Sequence, residues 1–218
     1  ERVTEFEVDV DTSTYRLATR FAKFHNLPEL TSLLSSVADF HQVDESADIP
    51  AFDGYNDALV SKTPAFAAYL ADISTRADDV RNGRISRKDD NMLKITTDGR
   101  KAALDLRLVD PMASFTYQSK VARCSENVAD IYFKTSADKS TQIIFCDTST
   151  PKAGFNIYTE LKDRLVLHGV PESKIAFVHD AETETKRSLL FAKVRSGDIR
   201  ILIGSTYKLG LGVNVQER

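Results

Sequence analysis

Cysteine is scarce in this chain: two in 218 residues, Cys124 and Cys146. One falls in a stretch with helical spacing and the other in an apolar run. Both are expected to be reduced and buried, which excludes a disulfide framework. Long hydrophobic runs are missing as well. None approaches the roughly 20 residues that cross a bilayer, so no membrane partner is expected and the protein reads as cytoplasmic. The first residues, Glu1-Arg-Val-Thr-Glu-Phe-Glu7, are charged where a secretory leader would be apolar, and no signal peptide is expected there. The four histidines, at 25, 41, 168 and 179, are scattered, and no Cys/His/carboxylate spacing points to a metal. Gly-Lys-Ser/Thr occurs nowhere, which excludes a P-loop within the chain.

What is present is ordinary for a soluble globular chain of one or two domains, with 42% hydrophobic and 28% charged residues. The net charge of −3 is uneven. Residues 1–82 carry 15 acidic and 7 basic side chains, and residues 83–218 carry 17 and 22. The mildly basic second part suits a polyanion, although the excess is small beside that of dedicated nucleic-acid binders.

Periodicity divides the chain into a mainly helical region, residues 1–118, and an α/β region, residues 119–218. Tyr15, Ala18, Phe21 and Ala22 recur at helical spacing, as do Leu30, Leu33, Leu34 and Val37 after Pro28. Residues 41–62 are polar and read as a long loop. Thr63-Pro64 is a cap followed by proline in a first turn, and it opens a helix that Gly83 should stop. Met92-Leu-Lys-Ile-Thr reads as a short strand, Thr97–Arg100 as a turn and Lys101–Val109 as a short helix. Val121, Cys124, Val128 and Ile131 mark a helix. Apolar runs at 142–146, 175–178 and 199–203 then alternate with helical patterns at 155–168 and 182–195. Strand–helix–strand–helix–strand with short links predicts a right-handed parallel α/β sheet.

Open parallel sheets bind ligands at the carboxyl ends of their strands. Three polar segments are expected there: Asp147-Thr-Ser-Thr150, His179-Asp-Ala-Glu182, and the loop after Ile203. In that loop Gly204, Gly210 and Gly212 allow close backbone approach. The Ser205 and Thr206 hydroxyls and the Lys208 ammonium can donate to phosphate oxygens, and Asn214 can both donate and accept. The same features also describe a glycine-rich loop with no ligand. Cys146 and His179, on adjacent strands, raise the alternative of a Cys–His nucleophile, which requires a lowered thiol pKa. His168, before Gly169, reads as the C-terminal charge or cap of a helix.

In their order, these segments resemble a known family. Gln142-Ile-Ile-Phe-Cys-Asp147 looks like helicase motif IV. Phe177-Val-His-Asp-Ala-Glu-Thr183 followed by Lys186-Arg187, and Leu190-Phe-Ala-Lys-Val-Arg-Ser-Gly197, resemble the segments between motifs IV and V. Gly204-Ser-Thr-Tyr-Lys-Leu-Gly-Leu-Gly-Val-Asn-Val-Gln216 resembles motif V. Asp98 to Pro111, with Ser119-Lys120, looks like the lead-in. Together they resemble the second RecA-like lobe of superfamily 2 helicases and translocases of the Swi/Snf type. The nearest likeness is to large bacterial, phage- and plasmid-borne DNA methylase/helicase proteins.

The resemblance implies a P-loop-NTPase-like lobe without its own Walker A, truncated after motif V. It implies that Ser205, Thr206 and Lys208, with Thr148 and Ser149, lie against a DNA backbone. Gly210, Gly212 and Asn214 would face an ATP cleft. ATP and Mg²⁺ would be held mainly by a first lobe of the same parent, and the motif VI arginine finger would follow Gln216. The chain is therefore expected to be a fragment of an ATP-dependent DNA motor with no catalytic residue of its own, and inactive alone as an ATPase. Two other readings stand beside it: a small-molecule-binding α/β domain of methyltransferase or flavodoxin type, and a non-catalytic interaction module.

Overall fold

The structure, a computed structural model, describes residues 2–8, 15–21, 25–39, 54–86, 88–210 and 215. The described part of the chain begins with an antiparallel pair, β1 (Arg2–Val8) and β2 (Tyr15–Phe21), in register from Arg2↔Phe21 to Val8↔Tyr15. This corrects the helical reading of residues 15–21; Ala22 lies outside the described residues. Tyr15-Arg-Leu-Ala-Thr-Arg-Phe21 fits a period of two as well as one of 3.6. The cross-strand partner, with Val3, Thr4 and Val8, tips the balance toward strand. Thr4 and Thr19 face each other in the register, and their hydroxyls share a hydrogen bond of 2.8 Å. The expected helix after Pro28 is present as α1 (Leu27–Ser35), and none of its residues is buried. Of the expected loop, residues 41–53 lie outside the described residues, and residues 54–63 form neither helix nor strand.

The Thr63 cap works as its sequence predicts. Its hydroxyl accepts from the Phe66 N–H at 3.2 Å and opens α2 (Pro64–Arg81). Gly83, at φ +66°, takes the left-handed conformation that ends it. Helix α3 (Met92–Leu104) replaces the expected strand and turn and takes in the start of the expected short helix, whose remainder is a separate 3-10 turn at Leu106–Leu108. The Asn91 side chain caps it by accepting from the Lys94 N–H at 3.0 Å. Ile95 and Ala102, seven residues apart, are both buried on one face. Gly99 inside the helix costs about 1 kcal/mol relative to alanine, which that packing offsets.

The second half is the parallel sheet. Ser119 caps α4 (Lys120–Lys134). There follow β3 (Gln142–Phe145), α5 (Ile157–Leu167), β4 (Ile175–Phe177), α6 (Glu184–Arg195), β5 (Ile201–Gly204) and the single turn α7 (Thr206–Leu209). The strand order is β3-β5-β4, with both pairings parallel. The chain steps from β3 past one position to β4, then returns to insert β5 between them. Right-handed crossovers in opposite directions put α5 and α6 on opposite faces of the sheet. One face packs Ile144, Ile201 and Ile203 with Val121 and Val128 of α4 and with Tyr158, Leu161 and Leu165 of α5. The other packs Leu202 with Val178, Phe191, Val194, Leu209 and Val215. Central β5 is buried throughout. Edge strand β3 leaves Ile143 and Phe145 exposed at 37% and 53%.

A buried arginine joins α4 to the sheet. Arg200 Nη2 donates to the Tyr132 and Thr135 carbonyls at 2.9 and 3.1 Å and to Thr135 Oγ1 at 2.9 Å. Its Nε donates to the Ser140 carbonyl at 3.2 Å, and the guanidinium lies over the Tyr132 ring. These carbonyls lie at and just past the end of α4, where the helix dipole favours a cation. Among the described residues no helix is long and apolar enough to cross a membrane.

Candidate functional site

All three parallel strands end at one edge, and the three expected polar segments meet there. Asp147, just past β3, reaches to the first turn of α7. Its Oδ1 accepts from the Thr206 N–H at 2.7 Å and its Oδ2 from the Thr206 hydroxyl at 2.8 Å. Ser205 is buried, and its hydroxyl accepts from the Lys208 N–H at 3.3 Å, capping α7. Ser149, at φ +60°, uses its hydroxyl to accept from the Ile157 N–H at 3.2 Å, at the start of α5. Thr148 is half-buried, and its carbonyl accepts from Cys146 Sγ at 3.1 Å. The sheet therefore gathers Thr148, Ser149, Ser205, Thr206 and Lys208 on one edge. Three of the four hydroxyls already serve the fold.

Gly204 is what allows this closure. A Cβ there would collide with Leu209 and come within 2.6 Å of Val178. Lacking one, the strand end lets α7 and the turn Val178–Asp180 pack over it. Gly210 closes α7, its N–H donating to the Thr206 carbonyl at 2.7 Å. Val215 is buried in the same cluster. Gly212 and Asn214 lie outside the described residues.

Beneath the edge stands Tyr158, fully buried, its hydroxyl donating to the Cys146 carbonyl at 2.7 Å. Its ring meets the His179 ring edge-on, at 5.2 Å between centroids and 90° between planes. Burial, and next the Lys208 ammonium, hold the His179 pKa below its ordinary value, while Asp180 opposes the shift. Burial pushes the Cys146 thiol up, opposed by a backbone hydrogen bond at Thr148. Burial likewise raises the pKa of Cys124. A Cys–His nucleophile needs a stabilised thiolate, and the Cys146 shift runs the other way. His168 is the C-cap of α5, with its Nε2 at 3.4 Å from Ser125 Oγ, as its position before Gly169 predicts. Among the described residues no group of three His, Cys, Asp or Glu side chains is arranged to hold a metal.

The sequence reading placed Asp147 at this edge without its bond to Thr206, and it missed Tyr158 below the edge and Arg200 at the opposite, amino end of β5. Asp147 is the partner of Thr206, and only strand order reveals that. Tyr158 supports the His179 ring, and Arg200 locks α4 to β5. A charge immediately before a run as apolar as Ile201-Leu-Ile203 was the available signal for Arg200. Comparison with known protein families, curated proteins and solved structures gives no match to this chain.

Proposed function

We propose that this chain is part of the second RecA-like lobe of an ATP-dependent DNA helicase or translocase, supplying backbone contacts to DNA and one wall of an ATP cleft. The observation that carries the reading is the loop Gly204-Ser-Thr-Tyr-Lys-Leu-Gly210, which leaves the central strand of a parallel sheet at its carboxyl edge, with Lys208 beside the turn that follows β4. A cation over a strand end, flanked by hydroxyls and amides, suits a phosphodiester. In this reading Lys208 and Thr148 meet phosphate directly. Thr206 joins them when Asp147 releases its N–H and hydroxyl, so Asp147 competes with phosphate for the same donors. Phosphate hydrolysis belongs to the complete two-lobed motor, with ATP and Mg²⁺ held largely by the first lobe.

Duplex DNA binding, followed by fluorescence anisotropy across a salt series, tests this. The chain should bind duplex without sequence preference and more weakly as salt rises. Lys208→Ala should lower the salt slope by about 1 and weaken all sequences alike. An unchanged slope, or ATP hydrolysis by this chain alone, would count against the reading.

A further inference from the structure

His179 is unusual among the polar residues of the edge. Among the described residues its Nδ1 is sealed from solvent and has no hydrogen-bond partner, while the residue as a whole is only half-buried. A buried, unpartnered ring nitrogen is cheaper as a lone pair than as an N–H, because a donor left unsatisfied costs its full desolvation. The favoured state is therefore the neutral imidazole with its proton on Nε2. The ring cannot easily turn away, since Tyr158 abuts it edge-on and is itself fixed to the Cys146 carbonyl. Gly204 lets α7 close against this turn, which brings Lys208 near enough to oppose protonation of the ring. Lys208 makes no ion pair with a described residue.

We propose that His179 and Lys208 form a two-donor seat for one backbone phosphate of DNA, with His179 contributing a neutral Nε2–H. This rests on the DNA reading above and extends it to a residue that the motif V resemblance does not cover. The groups around the ring bear on the pH dependence. Lys208 on α7 opposes imidazolium, as does burial, while Asp180 on the same turn favours it. Tyr158 on α5 keeps its proton, its pKa raised by burial and then by Cys146 and Asp147. Asp147 is engaged by Thr206. A neutral donor keeps its proton above the histidine pKa, so the contribution of His179 to binding should stay flat between about pH 7 and 9.

The test uses the 218-residue chain with a fluorescein-labelled duplex at low salt, comparing wild type, Lys208→Ala, His179→Ala and His179→Gln. The glutamine amide keeps an N–H donor at similar reach. His179→Ala should weaken binding about 5- to 10-fold, the loss of one charge-assisted hydrogen bond, and His179→Gln should restore most of it. Wild-type affinity with His179→Ala, alongside a clear loss with Lys208→Ala, would overturn the seat and leave the DNA reading standing. Failure of the wild type to bind would overturn both. Should His179→Ala not fold, the ring ¹⁵N resonances of wild-type His179 decide the matter. A shift of Nε2 on adding duplex supports the seat, and none overturns it.

Discussion

The pair α2–α3 and the parallel sheet are fastened by different chemistry. Between the helices the central contact is ionic. Arg76 donates through Nε and Nη2 to Asp90 at 2.7 and 3.1 Å, and through Nη2 to Asp98 at 3.1 Å. Around it only Ala77, Ile95 and Ala102 are fully buried on these two helices. In the sheet, Ile201, Leu202, Ile203, Tyr158 and Leu165 are wholly removed from solvent, and the buried Arg200 is spent mainly on backbone carbonyls. Apolar burial gains free energy with every methylene, whereas a mostly buried ion pair must offset the desolvation of its charges and depends on pH.

The largest test of this contrast is Leu165→Ala. It opens a cavity between α4, α5 and the sheet and should cost about 2–5 kcal/mol in urea denaturation. A loss below about 1 kcal/mol would mean the sheet core is not the stronger region. Next is Arg200→Met, which removes the guanidinium donor from the Tyr132, Thr135 and Ser140 carbonyls, of which Tyr132 keeps the Ser136 hydroxyl. A loss of about 2–3 kcal/mol by thermal melting is expected. Arg200→Lys should recover only part, because one ammonium cannot span all three carbonyls.

The smallest effect belongs to the helical pair. The hydrogen bonds from Arg76 hold the Asp90 carboxyl below its ordinary value. Its folded pKa is thus lower than its unfolded one. The stabilisation is fully present above the unfolded aspartate pKa, near 4, and is lost as pH falls through the folded value. Comparing melts at about pH 7 and pH 3, wild type should lose more stability than Asp90→Asn. Equal losses would show that the Arg76 clamp contributes little, and would erase the contrast.

Much of the second half was legible. The runs at 142–145, 175–177 and 201–203 are strands, and α5 buries the expected Tyr158, Leu161 and Leu165, whereas α6 buries Phe191 with Val194 and leaves Leu189 exposed. The errors fell where two periods compete. Tyr15–Phe21 satisfies both helix and strand spacing, and its partner strand decided. Ile95-Thr-Thr97 looks β-branched, yet the Asn91 cap and the buried face shared by Ile95 and Ala102 made it helix. At the candidate site, Lys208 and the hydroxyls could be named in advance. The bond from Thr206 to Asp147, 59 residues away, could not.

Caps and periods act over a few residues, so the sequence by itself determined most of the elements of the second half and many helix starts: Thr63, Ser119, Asn156 and Thr183 each cap a helix through their own side chains. Only the tertiary structure decided what those elements bring together. Inserting β5 between β3 and β4 sets Asp147 against Thr206 and Lys208 near His179, and burial against Tyr158 leaves one nitrogen of that ring without a partner among the described residues. Strand order and desolvation are properties of contacts between distant segments, and no local pattern encodes them.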